Sequence, residues 1–288
     1  PPPDWIERVA ASRDIHRVLS VEEFIAALEP EFDANPQPVT LARFRRQQLL
    51  RILLRDVLGY ATLGECTEEL SNLADAIVEV AYRGITRELT ARYGSPSTGF
   101  AVIALGKLGG SELNYSSDID LMFLYGGNGE TPGPEPISYK EFFKKTANRL
   151  TEMLSTYTPE GLCYRVDLRL RPEGKIGEVV MSLEGACHYY QSRARDWELQ
   201  MLIKARVTAG DRTTGVALLD YCETLIYSTT LDFSAIEVMS ATRDRLDEKL
   251  AARRPGKNEL DVKLMRGGIR DIEFLVQCLQ RLHGGRFP

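Results

Sequence analysis

The stretch GKLGGSELNYSSDIDL, residues Gly106–Leu121, decides the fold class of this 288-residue chain. The apolar run Phe100–Leu105 precedes it and predicts a buried β-strand. The apolar residues of Ile119–Tyr125 predict a second strand directly after it. Between the two strands, glycines let the backbone turn tightly and approach a ligand closely. The centre of the chain is therefore expected to be a strand, a glycine turn and a second strand.

Two carboxylates stand at the start of the second predicted strand. Asp118 and Asp120 lie two positions apart, so their side chains share one face of a strand. Neighbouring carboxylates repel each other, and a bound divalent cation removes that repulsion. The pair thus indicates metal binding, although acidic pairs at strand ends are often only solvated. The chain has three histidines and five scattered cysteines, so any metal is held mainly by carboxylates, which suits Mg²⁺ or Mn²⁺.

A third strand is predicted over Leu162–Arg171, where polar and apolar residues alternate. Its polar face carries Arg165, Asp167, Arg169 and Arg171. A single acid among arginines indicates a third metal carboxylate within a phosphate-binding surface, because the guanidinium fork suits phosphate oxygens. We therefore assign Arg169 and Arg171 to phosphate binding. The alternative is an arginine face that pairs with surface acids.

The glycine turn supplies further candidate phosphate ligands. Gly106, Gly109 and Gly110 free the backbone to approach a ligand closely. Ser111 adds a hydroxyl donor. Lys107 joins this group because of its charge. The turn is neither a GxxxxGK[ST] phosphate loop nor a GxGxxG dinucleotide loop, since neither spacing occurs.

Helices are expected on both sides of this centre, which gives an α+β fold with a small mixed sheet. We predict a helical region over residues 1–95, a catalytic core over 96–210, and a helical region over 211–288 that completes it. Residues 261–264 fit one more strand. The predicted helices are Ser20–Leu28, Thr40–Gly59, Thr67–Gly94, Ser138–Tyr157, Ser182–Val207, Asp211–Tyr227, Ser234–Arg254 and Arg270–His283.

The composition argues against several classes of protein. Lys and Arg total 36 and Asp and Glu total 41, and the resulting net charge of -5 argues against general nucleic-acid binding. No apolar run approaches the roughly 18 residues that a membrane span needs. The cysteines never show CxxC spacing, which argues against a zinc site or disulfides and favours a reducing compartment. We therefore expect a cytoplasmic protein without nucleic-acid or membrane partners.

The strand, the Gly-Gly-Ser turn, the Asp-Ile-Asp pair and the later Asp167 together resemble nucleotidyltransferases of the polymerase-β type. In that fold, the glycine turn holds phosphates and three carboxylates hold two divalent metals. Longer blocks resemble the bacterial glutamine synthetase adenylyltransferase/adenylyl-removing enzymes. These blocks are Gly106–Leu121, Tyr164–Pro172, Arg195–Glu198, Lys204–Arg206 and Gly267–Phe274.

The resemblance implies a reaction and its partners. Members of this family carry two homologous halves. One half attaches AMP from ATP to a tyrosine of glutamine synthetase, and the other removes it by phosphorolysis, giving ADP. The blocks Asn114–Ser117, Arg195–Trp197 and Gly267–Asp271 look more like the N-terminal, adenylyl-removing half. The chain is much shorter than a whole member of the family, so it is expected to be a fragment. The implied partners are glutamine synthetase, the PII signal protein and the second half. Forward adenylyl transfer and a regulatory module without turnover remain alternatives.

The resemblance also assigns roles to individual positions. It places Asp118, Asp120 and Asp167 as the catalytic, metal-binding carboxylates. It places the Gly-Gly-Ser turn at the phosphates, although the interval from Gly110 to Asp118 is shorter than is usual in the superfamily. The basic residues of the block 204–206 are a further candidate for phosphate contact.

Overall fold

The computed structural model describes residues 13–227, residue 262 and residues 267–284. The chain divides into two compact units, and the first contains every strand found among the described residues. The domain boundaries predicted at residues 95 and 210 stay predictions. The first unit comprises Pro1–His188 and Lys204–Leu219, and the second comprises Tyr189–Ile203 and Asp220–Pro288.

Three helices form the N-terminal part of the described chain, namely α1 (Val21–Ala34), α2 (Pro38–Val57) and α3 (Leu63–Tyr93). Helix α1 begins after Ser20, whose side chain and that of Glu23 form a capping box. Helix α2 begins at Pro38 and not at the predicted Thr40, because a proline suits the first helical position, where an N–H is not needed. The predicted helical character of this region is thus confirmed.

Two of these helices are longer than predicted. Helix α1 continues beyond Leu28 because the next turn buries Phe32, which is 1% exposed. Helix α3 begins before Thr67, since Thr62 and Glu65 form a capping box one turn earlier. The first extension continues the helical spacing of Phe24 and Leu28, and only the second depends on an interaction that apolar spacing does not reveal.

The sheet contains the strands β1 (Phe100–Leu105), β2 (Ile119–Tyr125), β3 (Val166–Asp167), β4 (Val180–Ser182) and β5 (Arg206–Gly210). Strand β2 pairs antiparallel with β1 and parallel with both β3 and β4. Strand β5 lies antiparallel on the other side of β1. This mixed sheet confirms the α+β class, and β1 and β2 have the predicted bounds.

The remaining helices agree with the prediction in three places. Those predicted after Ser138, after Asp211 and from Arg270 are confirmed, with ends that differ by two residues or fewer. The helix predicted over 234–254 lies outside the described residues, and so does the strand predicted over 261–264 apart from Val262. The helices are α4 (Gly106–Gly109), α5 (Tyr139–Ser155), α6 (Leu183–Ser192), α7 (Asp196–Met201), α8 (Arg212–Ile226) and α9 (Ile269–His283).

The strand predicted over Leu162–Arg171 is wrong apart from the two residues of β3. Beyond Asp167 the chain turns, and the Arg171 N–H donates to the Leu168 carbonyl at 3.4 Å. Such local bonds satisfy backbone groups that a strand would offer to a neighbour. The common face predicted for Asp167, Arg169 and Arg171 therefore does not form.

The helix predicted over Ser182–Val207 is also wrong as a single element. The segment forms α6, α7, a 3-10 turn at Leu202–Lys204 and the beginning of β5. The strand forms because β1 offers an edge, where Val207 pairs with Ile103. A pairing partner so distant in sequence leaves no local signal.

The core of the first unit lies between the sheet and helices α3 and α5. Every residue of β1 is buried. The ring of Phe100 stacks on those of Phe123 and Phe143, with centroids 5.8 and 5.3 Å apart. This packing fixes β1 and β2, which carry the glycine turn between them. In the part of the chain that the structure describes, no helix is long and apolar enough to cross a bilayer.

Candidate active site

Two of the predicted carboxylates lie side by side on neighbouring strands. Asp120 in β2 is the register partner of Asp167 in β3. Paired parallel strands are about 4.8 Å apart, and partners in register present their side chains to the same face. The structure thus brings together two acids that are 47 positions apart in the sequence.

The third predicted carboxylate, Asp118, is exposed and immediately precedes β2. Its side chain forms an ion pair with Arg165, whose Nη2 also donates to the Ser116 carbonyl at 3.0 Å. The Ile119 N–H donates to the Arg165 carbonyl at 3.0 Å. Arg165 therefore ties the chain before β2 to the chain before β3.

Arg169 binds Asp167 through both its backbone and its side chain. Its backbone N–H donates to Asp167 Oδ1 at 2.8 Å, and its Nε lies 2.7 Å from Oδ2. The side-chain hydrogen bond from Arg169 lowers the pKa of Asp167 and outweighs the burial that would raise it. Asp167 also raises the pKa of Arg169, with smaller contributions from Asp120 and Asp118. One guanidinium thus lies in the field of all three acids.

The glycine turn meets the carboxylates at Gly106. This residue has φ +56°, and a Cβ added to it would lie 2.7 Å from Asp120 Oδ2. A side chain at position 106 would therefore displace the Asp120 carboxylate. The sequence predicted Gly106 as one of the glycines that let the backbone approach a ligand, and the structure adds its closeness to the Asp120 carboxylate.

Gly109 and Gly110 are in different surroundings. Gly109 is buried, and a Cβ there would lie 2.1 Å from the Lys204 carbonyl oxygen. Gly110 is exposed, and a Cβ there would lie 3.2 Å from the flexible Lys204 side chain. Close backbone packing thus requires glycine at 109, whereas position 110 faces an adaptable neighbour.

Ser111 has an exposed side chain and the left-handed backbone conformation, with φ +54°. This region is costly for a residue with a Cβ, so the surrounding bonds must hold it. Its N–H donates to the Leu108 carbonyl at 3.1 Å. The carbonyl of Lys107, which is half-buried, accepts the Glu112 N–H at 2.9 Å. The turn is therefore closed by its own backbone.

Arg171 does not share the surroundings of Asp167. Its Nη1 donates to the Leu168 carbonyl at 2.7 Å, and its Nη2 donates to the Gly177 carbonyl at 2.9 Å. Its Nε donates to the Glu178 carbonyl at 3.0 Å. The guanidinium thus organises its own loop, and the structure gives no support to its predicted contact with phosphate.

The basic residues 204 and 206 are also engaged by acids. Lys204 pairs with Glu112 next to the glycine turn. Arg206 pairs with Asp75, which is 4% exposed in α3. Sequence reasoning missed Asp75. The signal for it was an acid between Leu73 and Ile77, inside the apolar stripe of the helix.

The donor set fits a hard divalent cation, because carboxylate oxygens are the ligands that Mg²⁺ and Mn²⁺ prefer. Asp120 and Asp167 are in register, and Asp118 is two positions before Asp120. Among the described residues, however, no three carboxylate, thiol or imidazole groups already converge as a metal site. Asp118 and Asp167 face arginines instead, so a cation would have to compete with Arg165 and Arg169.

Comparison with known proteins yields two family matches. The model described as "Glutamate-ammonia ligase adenylyltransferase" matches residues 7–221. The model described as "GlnD PII-uridylyltransferase" matches residues 239–287. The first match contains the glycine turn and all three carboxylates.

Curated relatives carry the name bifunctional glutamine synthetase adenylyltransferase/adenylyl-removing enzyme. The protein from Pseudomonas putida is 38% identical over 98% of this chain. Those from Pseudomonas aeruginosa and Nitrosococcus oceani are 40% and 41% identical over 91% and 94% of it. The chain spans only 29%, 27% and 28% of the length of these three relatives.

Proposed function

The chain belongs to the glutamate-ammonia ligase adenylyltransferase family, and on that premise we propose that it removes AMP from an adenylylated tyrosine of glutamine synthetase. Inorganic phosphate is the attacking group, and the products are ADP and unmodified glutamine synthetase. The name that the relatives carry supports the substrate and includes the removal reaction. The removal direction rests on the blocks Asn114–Ser117, Arg195–Trp197 and Gly267–Asp271.

A single observation supports this chemistry most strongly. Asp120 is in register with Asp167 on one side, and on the other its Oδ2 lies 2.7 Å from where a Cβ at Gly106 of the glycine turn would be. A phosphate group held by the turn would therefore lie beside the two carboxylates. This is the arrangement that transfer of a nucleotidyl group requires, since the turn and the acids serve one reacting phosphorus.

In the proposed reaction, an oxygen of inorganic phosphate forms a bond to the adenylyl phosphorus while the bond to the tyrosine oxygen breaks. The tyrosine oxygen leaves with the electron pair and takes up a proton. A divalent cation held by Asp118, Asp120 and Asp167 would neutralise charge on the attacking and leaving oxygens. The exposed Gly110 leaves room for the nucleotide phosphate, and the buried Gly109 keeps the turn close to the Lys204 backbone.

The basic residues complete this assignment. Arg169 is 65% exposed beside Asp167 and orients the attacking phosphate by a charge-assisted hydrogen bond. The Ser111 hydroxyl donates to a phosphate oxygen at the turn. Lys107 adds positive charge to the same segment. These groups bind and orient the substrate, and the carboxylates hold the metal.

The test is incubation of the chain with adenylylated glutamine synthetase, phosphate and Mg²⁺, followed by nucleotide analysis. We expect ADP that depends on phosphate and disappears with EDTA. Pyrophosphate produced from ATP and unmodified glutamine synthetase would instead favour the forward reaction, which uses the same carboxylates. Nucleotide binding without either product would favour a regulatory module.

The wider partners follow from the family alone. We propose that the PII signal protein and a second adenylyltransferase half act together with this segment in a longer protein. A matched test compares phosphorolysis by the chain with and without the PII protein. Unchanged rates would show that this segment does not itself respond to it.

A further inference from the structure

The glycine turn rests on helix α3 through two buried polar side chains. Ser71 and Asp75 lie one turn apart on the buried face of the helix, at 0% and 4% exposure. The Ser71 hydroxyl oxygen accepts the Leu113 N–H at 3.1 Å. Helix α3 therefore directly holds the backbone that leaves the glycine turn.

Arg206 links Asp75 to the turn itself. Its guanidinium forms a two-point ion pair with Asp75, with Nη2 3.0 Å from Oδ1. The same Nη2 donates to the Leu108 carbonyl at 2.9 Å. Asp75 also accepts the Thr208 hydroxyl. The Leu108 carbonyl oxygen also accepts the Ser111 N–H. Arg206 therefore binds the same oxygen that closes the turn at the left-handed Ser111.

We propose that Asp75 and Arg206 are positioning residues that hold the glycine turn in its phosphate-binding shape; this inference rests on the proposed function. Arg206 does not need to touch the nucleotide, since its Nη1 and Nη2 atoms already bind Asp75 and Leu108. Burial raises the pKa of Asp75, and hydrogen bonds from Arg206 oppose that rise. Each partner thus keeps the other in place, and losing either one releases the Leu108 carbonyl.

The experiment compares Arg206→Lys, Asp75→Asn and the double variant in the 288-residue chain. The lysine retains the charge, but its single nitrogen cannot reproduce the two-point ion pair with Asp75 together with the bond to the Leu108 carbonyl, for which arginine uses two nitrogens. Glu69→Gln is the matched control, because Glu69 is also a buried acid of α3 and accepts from Arg51 and Arg55. Two readouts are taken: affinity for ADP with Mg²⁺ by calorimetry, and hydrogen exchange of the peptide covering residues 106–113.

Each single variant is expected to bind ADP about ten- to a hundredfold more weakly. Hydrogen exchange at residues 106–113 should become about tenfold faster. The double variant should bind ADP no more weakly than the single variant with the lower affinity, because the two residues act as one unit. Glu69→Gln should keep ADP affinity within about twofold, measured below its unfolding transition. If Asp75→Asn does not fold, Arg206→Lys alone tests whether the pair holds the glycine turn.

Normal ADP affinity and normal exchange in Arg206→Lys would overturn the inference. An equal loss of affinity in Glu69→Gln would also overturn it, because the effect would then be one of general stability. If the unaltered chain binds no ADP, the proposed function fails. Hydrogen exchange alone then shows whether the pair holds the turn.

Discussion

Acids and arginines pair in two regions of this molecule, inside helix α3 and along the carboxylate edge of the sheet. In the helix, Glu69 and Asp75 are 0% and 4% exposed. Glu69 accepts from Arg51, Arg55 and the Leu19 backbone N–H. These interior pairs hold segments of backbone together, and neither partner can leave without stranding a buried charge.

The edge pairs are Asp118 with Arg165 and Asp167 with Arg169. Their arginines are 63% and 65% exposed, so water can replace either arginine at small cost, whereas the Asp167 side chain is itself only 13% exposed. The same type of ion pair is therefore permanent in the helix and exchangeable at the edge. An exchangeable pair can release its acid to a cation and its arginine to a phosphate.

The largest effect is expected from Glu69→Gln, which leaves two buried arginines with a neutral partner. The free energy of unfolding should fall by about 3–5 kcal/mol, measured by urea denaturation. The exposed acid Glu88, paired with Arg149 at 64% exposure, provides the control. Glu88→Gln should cost less than about 1 kcal/mol. Equal losses in the two variants would remove the distinction between interior and exposed pairs.

At the edge, Asp118→Asn and Asp167→Asn should each lower the rate of phosphorolysis by at least about a hundredfold. Each removes one of the carboxylate charges that we propose hold the divalent cation. Unfolding should change little in Asp118→Asn, whose side chain is 43% exposed. The control is Asp33→Asn, at a surface pair with Arg87, which should retain full turnover. Near-normal turnover in Asp118→Asn would contradict its catalytic role.

Arg169→Ala should raise the phosphate requirement by about ten- to a hundredfold, because one charge-assisted contact is lost. Arg171→Ala is the matched control, since this arginine donates to the carbonyls of Leu168, Gly177 and Glu178 instead. It should lower stability and leave the phosphate dependence unchanged. Steady-state kinetics with varied phosphate measure the phosphate requirement of the two variants. The reverse result would restore the phosphate role that the sequence assigned to Arg171.

The smallest effects separate two neighbouring glycines. Gly109→Ala should cost about 1–3 kcal/mol of stability, because its Cβ would collide with the Lys204 backbone carbonyl. Gly110→Ala should cost less than about 1 kcal/mol, since only flexible side chains are near. Thermal unfolding of both variants checks the difference. A larger loss in Gly110→Ala would show that exposure does not predict tolerance in this turn.

Much of the fold follows from local sequence. The apolar runs predicted β1 and β2 with correct bounds, because burial on both faces leaves a continuous signal. The end of α3 at Gly94 was also predicted, since glycine commonly ends helices. Helices and strands whose bounds depend on residues close in sequence can thus be predicted from the sequence.

The rest depends on contacts between distant segments. The alternating arginines predicted a long strand, but local carbonyls bind Arg171 and end β3 at Asp167. Strand β5 was missed because its partner, β1, lies about a hundred positions earlier. At the site, the acids were predicted as a set, but the register of Asp120 with Asp167 and the closeness of Asp120 to Gly106 needed the structure. Their metal and phosphate roles stay predictions.

The ion pair between Asp75 and Arg206 joins residues 131 positions apart, and this separation matters during synthesis. The ribosome completes α3 long before β5 emerges, so the nascent helix carries an acid whose cation does not yet exist. Until Arg206 arrives, Asp75 must stay near water or take up a proton. The final packing of α3 against the sheet is therefore expected only once β5 pairs with β1, and the glycine turn that Arg206 holds takes its shape only then.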